Sequence, residues 1–103
     1  VSSTPLPNTL TLRELERRGF VASLVESRIP GARITRDLFG CIDVIGIRGG
    51  ETVAVQATSI SNIASRIRKV EESPALAAMR AAGWTILVHG WRAGELRREV
   101  DVS

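Results

Sequence analysis

The chain has 103 residues, enough for one modest hydrophobic core and too few for two. Lys and Arg number 14 against 11 Asp and Glu, for a net charge of +3, and 44% hydrophobic with 24% charged residues exclude a disordered or low-complexity chain. No run reaches the roughly 18 apolar residues of a membrane span, and the start lacks the basic-then-apolar pattern of a signal peptide.

Residues 1–8, with two Pro and three Ser or Thr, read as a flexible lead-in to a single domain over residues 9–103. Thr11 and Glu14 make a capping box, Leu10 can staple onto Leu15, and Gly19 is a natural stop, so a short helix is predicted over residues 11–18. Phe20, Ala22 and Leu24 alternate with polar or small residues in a strand over 20–26, closed by Ile29-Pro30-Gly31. Residues 32–40 read as an extended loop. Two β-rich runs, 41–47 and 52–58, flank Gly49-Gly50, a strong hairpin signal. Ser59 or Ser61 can then cap a helix whose buried stripe is Ile63, Ile67 and Val70. Ser73-Pro74 opens a further helix over 75–82, stopped by Gly83. Residues 84–89 read as a strand, and 96–102 as an edge strand. The order α-β-β-β-α-α-β predicts an α/β fold on a mixed sheet.

With Gly49 and Gly50 as the turn, Asp43 lies opposite Gln56, Cys41 opposite Thr58 and Ile45 opposite Ala54. Residues two apart share a face, so Cys41, Asp43, Gln56 and Thr58 form one polar patch. Facing Cβ atoms lie about 4.5–5.5 Å apart, close enough for an Asp carboxylate and a Gln carbonyl to share one cation. Asp43 admits two readings. It is an ordinary strand Asp hydrogen-bonded to Gln56, or it belongs to a site. The second gains weight because Asp43 interrupts a run apolar on both faces, where a carboxylate costs free energy unless it is paired.

These residues resemble the PD-(D/E)XK nuclease superfamily, especially small members similar to Holliday-junction resolvases and to phage-encoded nuclease-like proteins. The resemblance rests on Asp37-Leu38-Phe39-Gly40-Cys41-Ile42-Asp43-Val44-Ile45, on Val53-Ala54-Val55-Gln56-Ala57-Thr58-Ser59, and on residues 62–69 of the following helix. It implies a restriction-endonuclease-like αβββαβ core, a mixed central sheet flanked by helices. It also implies Mg²⁺ or Mn²⁺ as cofactor, held by Asp43, Gln56 and the carbonyl of Ala57, with Thr58 at the position of the family's catalytic Lys.

This sequence departs from that pattern twice. Gln56 replaces a carboxylate, which lowers the negative charge available to a hard cation. Thr58 carries no charge and cannot orient hydroxide as an ammonium does. Thirteen of the fourteen cations are Arg, so Lys69 is the only lysine available. Arg66 and Lys69 share a stripe with Asn62 beside the buried one, and that stripe either faces the site or is solvated. Asp37 is an Asx-turn residue or a further ligand. Glu14 reads as a capping-box residue in place of the metal-proximal Glu that resolvase-like members carry on the first helix.

Arg13, Arg17 and Arg18 form one basic cluster; Arg28, Arg33 and Arg36 a second; Arg66, Arg68 and Lys69 a third. The second and third adjoin the patch in sequence. Arg33, Arg36, Arg66, Arg68 and Lys69 are therefore the candidate contacts to nucleic-acid phosphates. Trp91-Arg92 either stacks on a base or packs. His89 and Cys41, each alone, make no zinc site, and no phosphate loop or Ser-His-Asp set stands out. The expectation is a DNA-binding hydrolase of the endonuclease type, acting on duplex or branched DNA with a catalytic set of Asp43, Gln56, Thr58, Arg66 and Lys69. The alternatives are a catalytically inactive nuclease-fold module for nucleic-acid binding or protein assembly, and a protein-binding subunit. A lone Cys fits a reducing compartment, the cytoplasm of a bacterial or phage-infected cell. The C-terminal edge strand and the resemblance suggest a homodimer.

Overall fold

The computed structural model describes residues 4–29, 31 and 34–103. Helix α1 spans Pro7–Arg17. It is followed by strands β1 (Val21–Leu24), β2 (Ser27–Ile29), β3 (Ile34–Arg36), β4 (Val44–Arg48) and β5 (Glu51–Ser59). A 3-10 turn at Ile60–Asn62 leads into helix α2 (Ile63–Glu71). Helix α3 (Leu76–Ala81) and strands β6 (Thr85–Arg92) and β7 (Glu95–Asp101) complete the chain. Five strands form one mixed sheet in the order β1-β4-β5-β6-β7, and β2 pairs with β3 in a separate antiparallel ribbon. The expected α/β class on a mixed sheet is thus present. Among the described residues no helix is long and apolar enough to cross a membrane.

The hairpin forms in the expected register. Arg48 faces Glu51, Ile45 faces Ala54 and Val44 faces Val55 around Gly49-Gly50, with Gly49 at φ +58° as such a tight turn requires. Strand β5 is central and buried along both faces from Val53 to Thr58. The crossover through α2 and α3 brings β6 back parallel to it, with Gln56 beside Val88.

Helices cover both faces. On one side α1 packs Leu15 with Phe20 onto Val44, Val53, Val55 and Leu87. Its close approach accounts for Gly46: a Cβ there would lie 3.1 Å from Phe20 Cβ and 3.2 Å from Leu15 Cδ1. On the other side Ile63 and Val70 of α2 and Leu76 and Met79 of α3 meet Ala54, Ile86 and Val88. Ile67 packs at the margin of this cluster, so the predicted stripe of Ile63, Ile67 and Val70 is the inward one.

Several local expectations are corrected. Helix α1 starts at Pro7, with proline in its first turn, so residues 7 and 8 are helical and Thr11 is interior. Thr11 is therefore no cap. Its buried hydroxyl accepts from Trp91 Nε1 at 2.9 Å and lies 3.0 Å from His89 Nδ1. The Glu99 carboxylate, 2.9 Å from His89 Nε2, can only accept, so the neutral ring carries its proton on Nε2 and takes the Thr11 hydrogen at Nδ1, while Arg18 meets the same Glu99 oxygen at 2.8 Å. This network fastens α1 to β6 and β7. Trp91 is thus a packing residue. Glu14 is no capping partner either: it pairs with Arg17 and Arg18, and the hydrogen bond from Arg17 leads in holding its carboxyl below the usual range. The stretch expected as a loop contains β3. Neither Ser59 nor Ser61 caps a helix by its side chain, because the 3-10 turn precedes α2. Pro30 and Arg33 lie outside the described residues.

A carboxylate cluster and its basic surround

Asp43 sits immediately before β4, where the chain turns in from the segment after β3. Its amide donates to Val55 O and its carbonyl accepts from Val25, each at 2.9 Å, so the backbone is held from both sides. The side chain is 4% exposed. Its Oδ2 accepts from the Gln56 side-chain amide and, at 3.0 Å, from the Ala57 backbone. The hairpin ladder ends at Val44–Val55 and the Asp43 amide also bonds Val55, so Asp43 meets Gln56 through its side chain and not as the paired strand residue expected from the register.

Two further carboxylates converge on Asp43. Glu26 lies between β1 and β2, and Asp37 follows β3; one oxygen from each of Glu26, Asp37 and Asp43 lies within 4.8 Å of the others. Burial is the main force pushing the Asp43 carboxyl up, to about 7; the Ala57 amide opposes it, and the charges of Asp37 and Glu26 add to it. Hard carboxylate oxygens clustered at partial burial are a donor set suited to Mg²⁺ or Mn²⁺.

Helix α2 presents one of its cations, Lys69, to this cluster. Lys69 Nζ lies 2.7 Å from Asp37 Oδ2, so the stripe of Asn62, Arg66 and Lys69 faces the site at its Lys end and is not simply solvated. Asp37 is engaged through its carboxylate, and the turn after it closes through its backbone, Gly40 N to Asp37 O at 3.1 Å. Arg66 Nη1 approaches Gln56 Oε1 at 3.4 Å. Gln56 is completely buried, its NH₂ turned to Asp43 and its carbonyl to Arg66.

The remaining sequence candidates fall in different places. Thr58 is buried two residues along β5, on the Arg66 side of Gln56. Ala57 directs its amide toward Asp43, and in an extended strand the carbonyl of the same residue leaves on the same side. Cys41 is not opposite Thr58. The tight turn closed by the Leu38–Ile42 bridge takes it out of the strand and into the apolar core beside Ile42 and Val70. Arg36 is exposed at the end of β3, next to Asp37, and Arg68 is exposed on α2. The cluster on α1 does not join them. Arg17 and Arg18 are paired with Glu14, and Arg48 of the hairpin turn donates to Arg18 O, at the far end of β4 from Asp43.

Sequence reasoning missed Glu26 and Asn8, whose side-chain amide donates to Glu26 Oε2. Glu26 is the only acid between Glu16 and Asp37 and closes an apolar strand, a faint signal that spacing alone could not connect to Asp43. Compared with protein-family models, with curated proteins and with solved structures, the chain matches none.

Proposed function

We propose that the chain has the restriction-endonuclease-like core of the PD-(D/E)XK nucleases and hydrolyses phosphodiester bonds in DNA with Mg²⁺ or Mn²⁺. The observation that carries this reading is the meeting of Glu26, Asp37 and Asp43 within 4.8 Å while α2 brings Lys69 against Asp37. The element order supports it: a helix, antiparallel strands, then a helical crossover to a parallel strand. In this reading β2–β3 and β7 are additions around that core.

Asp43, with Asp37 and Glu26, would hold the cation, with the carbonyl of Ala57 as a further oxygen donor; Gln56, expected from the sequence as a ligand, instead turns its carbonyl to Arg66 and would steady Asp43 through its NH₂. When bound, the cation supplies Lewis-acid stabilisation of phosphoryl charge and lowers the pKa of water. Lys69 takes the role that Thr58 cannot: its ammonium, delivered from α2 instead of β5, orients water and offsets negative charge at the reacting phosphate. Arg66, Arg68 and Arg36 contact flanking phosphates.

A second reading, an inactive nuclease-fold module for nucleic-acid binding or assembly, is favoured by one feature. Each carboxylate already has a partner from the chain: Asn8 for Glu26, Lys69 for Asp37, Gln56 and Ala57 for Asp43. Nicking of supercoiled plasmid and of branched DNA separates the two. Mn²⁺-dependent cleavage that disappears in Asp43→Asn and Lys69→Gln supports the enzyme. Salt-sensitive DNA binding with no cleavage under either metal supports the module and rejects hydrolysis.

A further inference from the structure

Beside Gln56 a pocket of about 280 Å³ opens where α1, the end of β5 and the start of α2 meet, next to the carboxylates, since Asn8 on its wall also donates to Glu26. Asn8, Thr58, Asn62 and Arg66 line it. Thr58 is 4% exposed and its hydroxyl makes no hydrogen bond to another described residue; since no buried side-chain oxygen among those residues lacks a partner, this one opens onto the pocket. Its oxygen therefore depends on the pocket for a partner. Arg66 forms no ion pair among the described residues, and its one contact is the long bond to Gln56. The amide of Asn8 stands in the first turn of α1, where the first helical bond is Leu10 N to Leu6 O, so it has no helical carbonyl to reach. A hydroxyl, an unneutralised guanidinium and a helix-start amide are all donors, and they face one space.

We propose that this pocket is a phosphate subsite in which Arg66, Thr58 and Asn62, with the first-turn amide of Asn8, bind a phosphate group beside the carboxylate cluster. Tetrahedral oxyanions accept from such a donor set, and the end of α1 favours negative charge. Gln56 divides the two sites. Its carbonyl faces Arg66 and its NH₂ faces Asp43, so its dipole suits both neighbours, whereas a carboxylate there would repel Asp43. This deepens the phosphodiester reading, on which it rests for the carrier of the phosphate.

The test is a titration of the full chain in EDTA, followed by backbone amide resonances. The ligands are inorganic phosphate and a short single-stranded oligonucleotide with and without a 5′-phosphate. Phosphate should shift Asn8, Thr58 and Asn62 saturably. Thr58→Val should weaken binding about tenfold, Thr58→Ser should restore it, and Arg66→Gln should weaken it at least as much. Displacement of phosphate by both oligonucleotides assigns the site to an internal diester, and displacement only by the phosphorylated one assigns it to a chain end. Phosphate that leaves those resonances unmoved, or binds Thr58→Val as tightly as the parent, overturns the subsite. Phosphate bound but displaced by neither oligonucleotide overturns its nucleic-acid carrier. Because no metal is present, loss of the carboxylate reading by the nicking assay leaves these outcomes distinct.

Discussion

Removing one negative charge from the carboxylate cluster should stabilise the metal-free protein, and Asp43→Asn tests this. The asparagine oxygen can still accept from Gln56 and Ala57, so packing and hydrogen bonds persist while the charge goes. The Asp43 carboxyl moves from 3.8 to about 7 on folding. Such a shift corresponds to at most about 4 kcal/mol at 1.36 kcal/mol per unit. Only the part lost between pH 5 and about 7 falls within a practical range, roughly two units, or about 2 kcal/mol after solvent screening. The sign follows from linkage. A raised folded pKa gives a contribution that is full below 3.8 and is lost as pH rises through about 7. Urea unfolding in EDTA at pH 5, 6, 7 and 8 should therefore show the parent losing about 2 kcal/mol across the series. Asp43→Asn should stay flat from this source and melt about 10 °C higher than the parent at pH 8. A parent whose stability does not fall between pH 5 and pH 8, or an Asn variant no more stable at pH 8, would refute the reasoning.

Other consequences follow from the same geometry. His89 is buried neutral and its pKa is lowered, chiefly by burial, so its contribution is present above 6.5 and is lost as pH falls through the folded value. Thr11→Val, which strands Trp91 Nε1 and His89 Nδ1, should cost about 1–3 kcal/mol by urea unfolding at pH 7. A cost within 0.5 kcal/mol would dismiss the network as a fastener. Gly90→Ala puts a Cβ 2.8 Å from Ile60 Cδ1 and Ile63 Cδ1, and both tips must move. We expect about 1 kcal/mol of destabilisation by the same measurement, and an unchanged midpoint would mean the crossover is not tightly packed there. Lys69→Gln should abolish nicking while lowering stability by no more than about 1 kcal/mol, because the Asp37 pair is partly exposed. Undiminished nicking would remove Lys69 from the mechanism.

The hairpin register was legible because Gly49-Gly50 fixes which residues face, and a shift by one would turn every apolar side chain to the wrong surface. The buried stripe of α2 was legible for a similar reason, its period matching a helix. Asp37 was legible only as one of two alternatives and Glu26 not at all, since each belongs to a short connection whose path depends on distant pairing. Thr11 misled because a capping-box spacing does not reveal whether the hydroxyl is spent on the next turn or on a buried Trp91 and His89. Cys41 misled because strand alternation was extended past the turn at 38–41. The lone lysine, by contrast, was visible in the composition. What the fold added is that α2 aims Lys69 at Asp37.

Manganese binding to the full chain, followed by electron paramagnetic resonance of the free ion at pH 7.5, tests the central claim most directly. Saturable uptake at the Glu26–Asp37–Asp43 cluster is expected, weakened at least tenfold in Asp43→Asn and unchanged in Arg68→Gln, which lies on an exposed face of α2. Absence of saturable binding, or binding indifferent to Asp43→Asn, would contradict it.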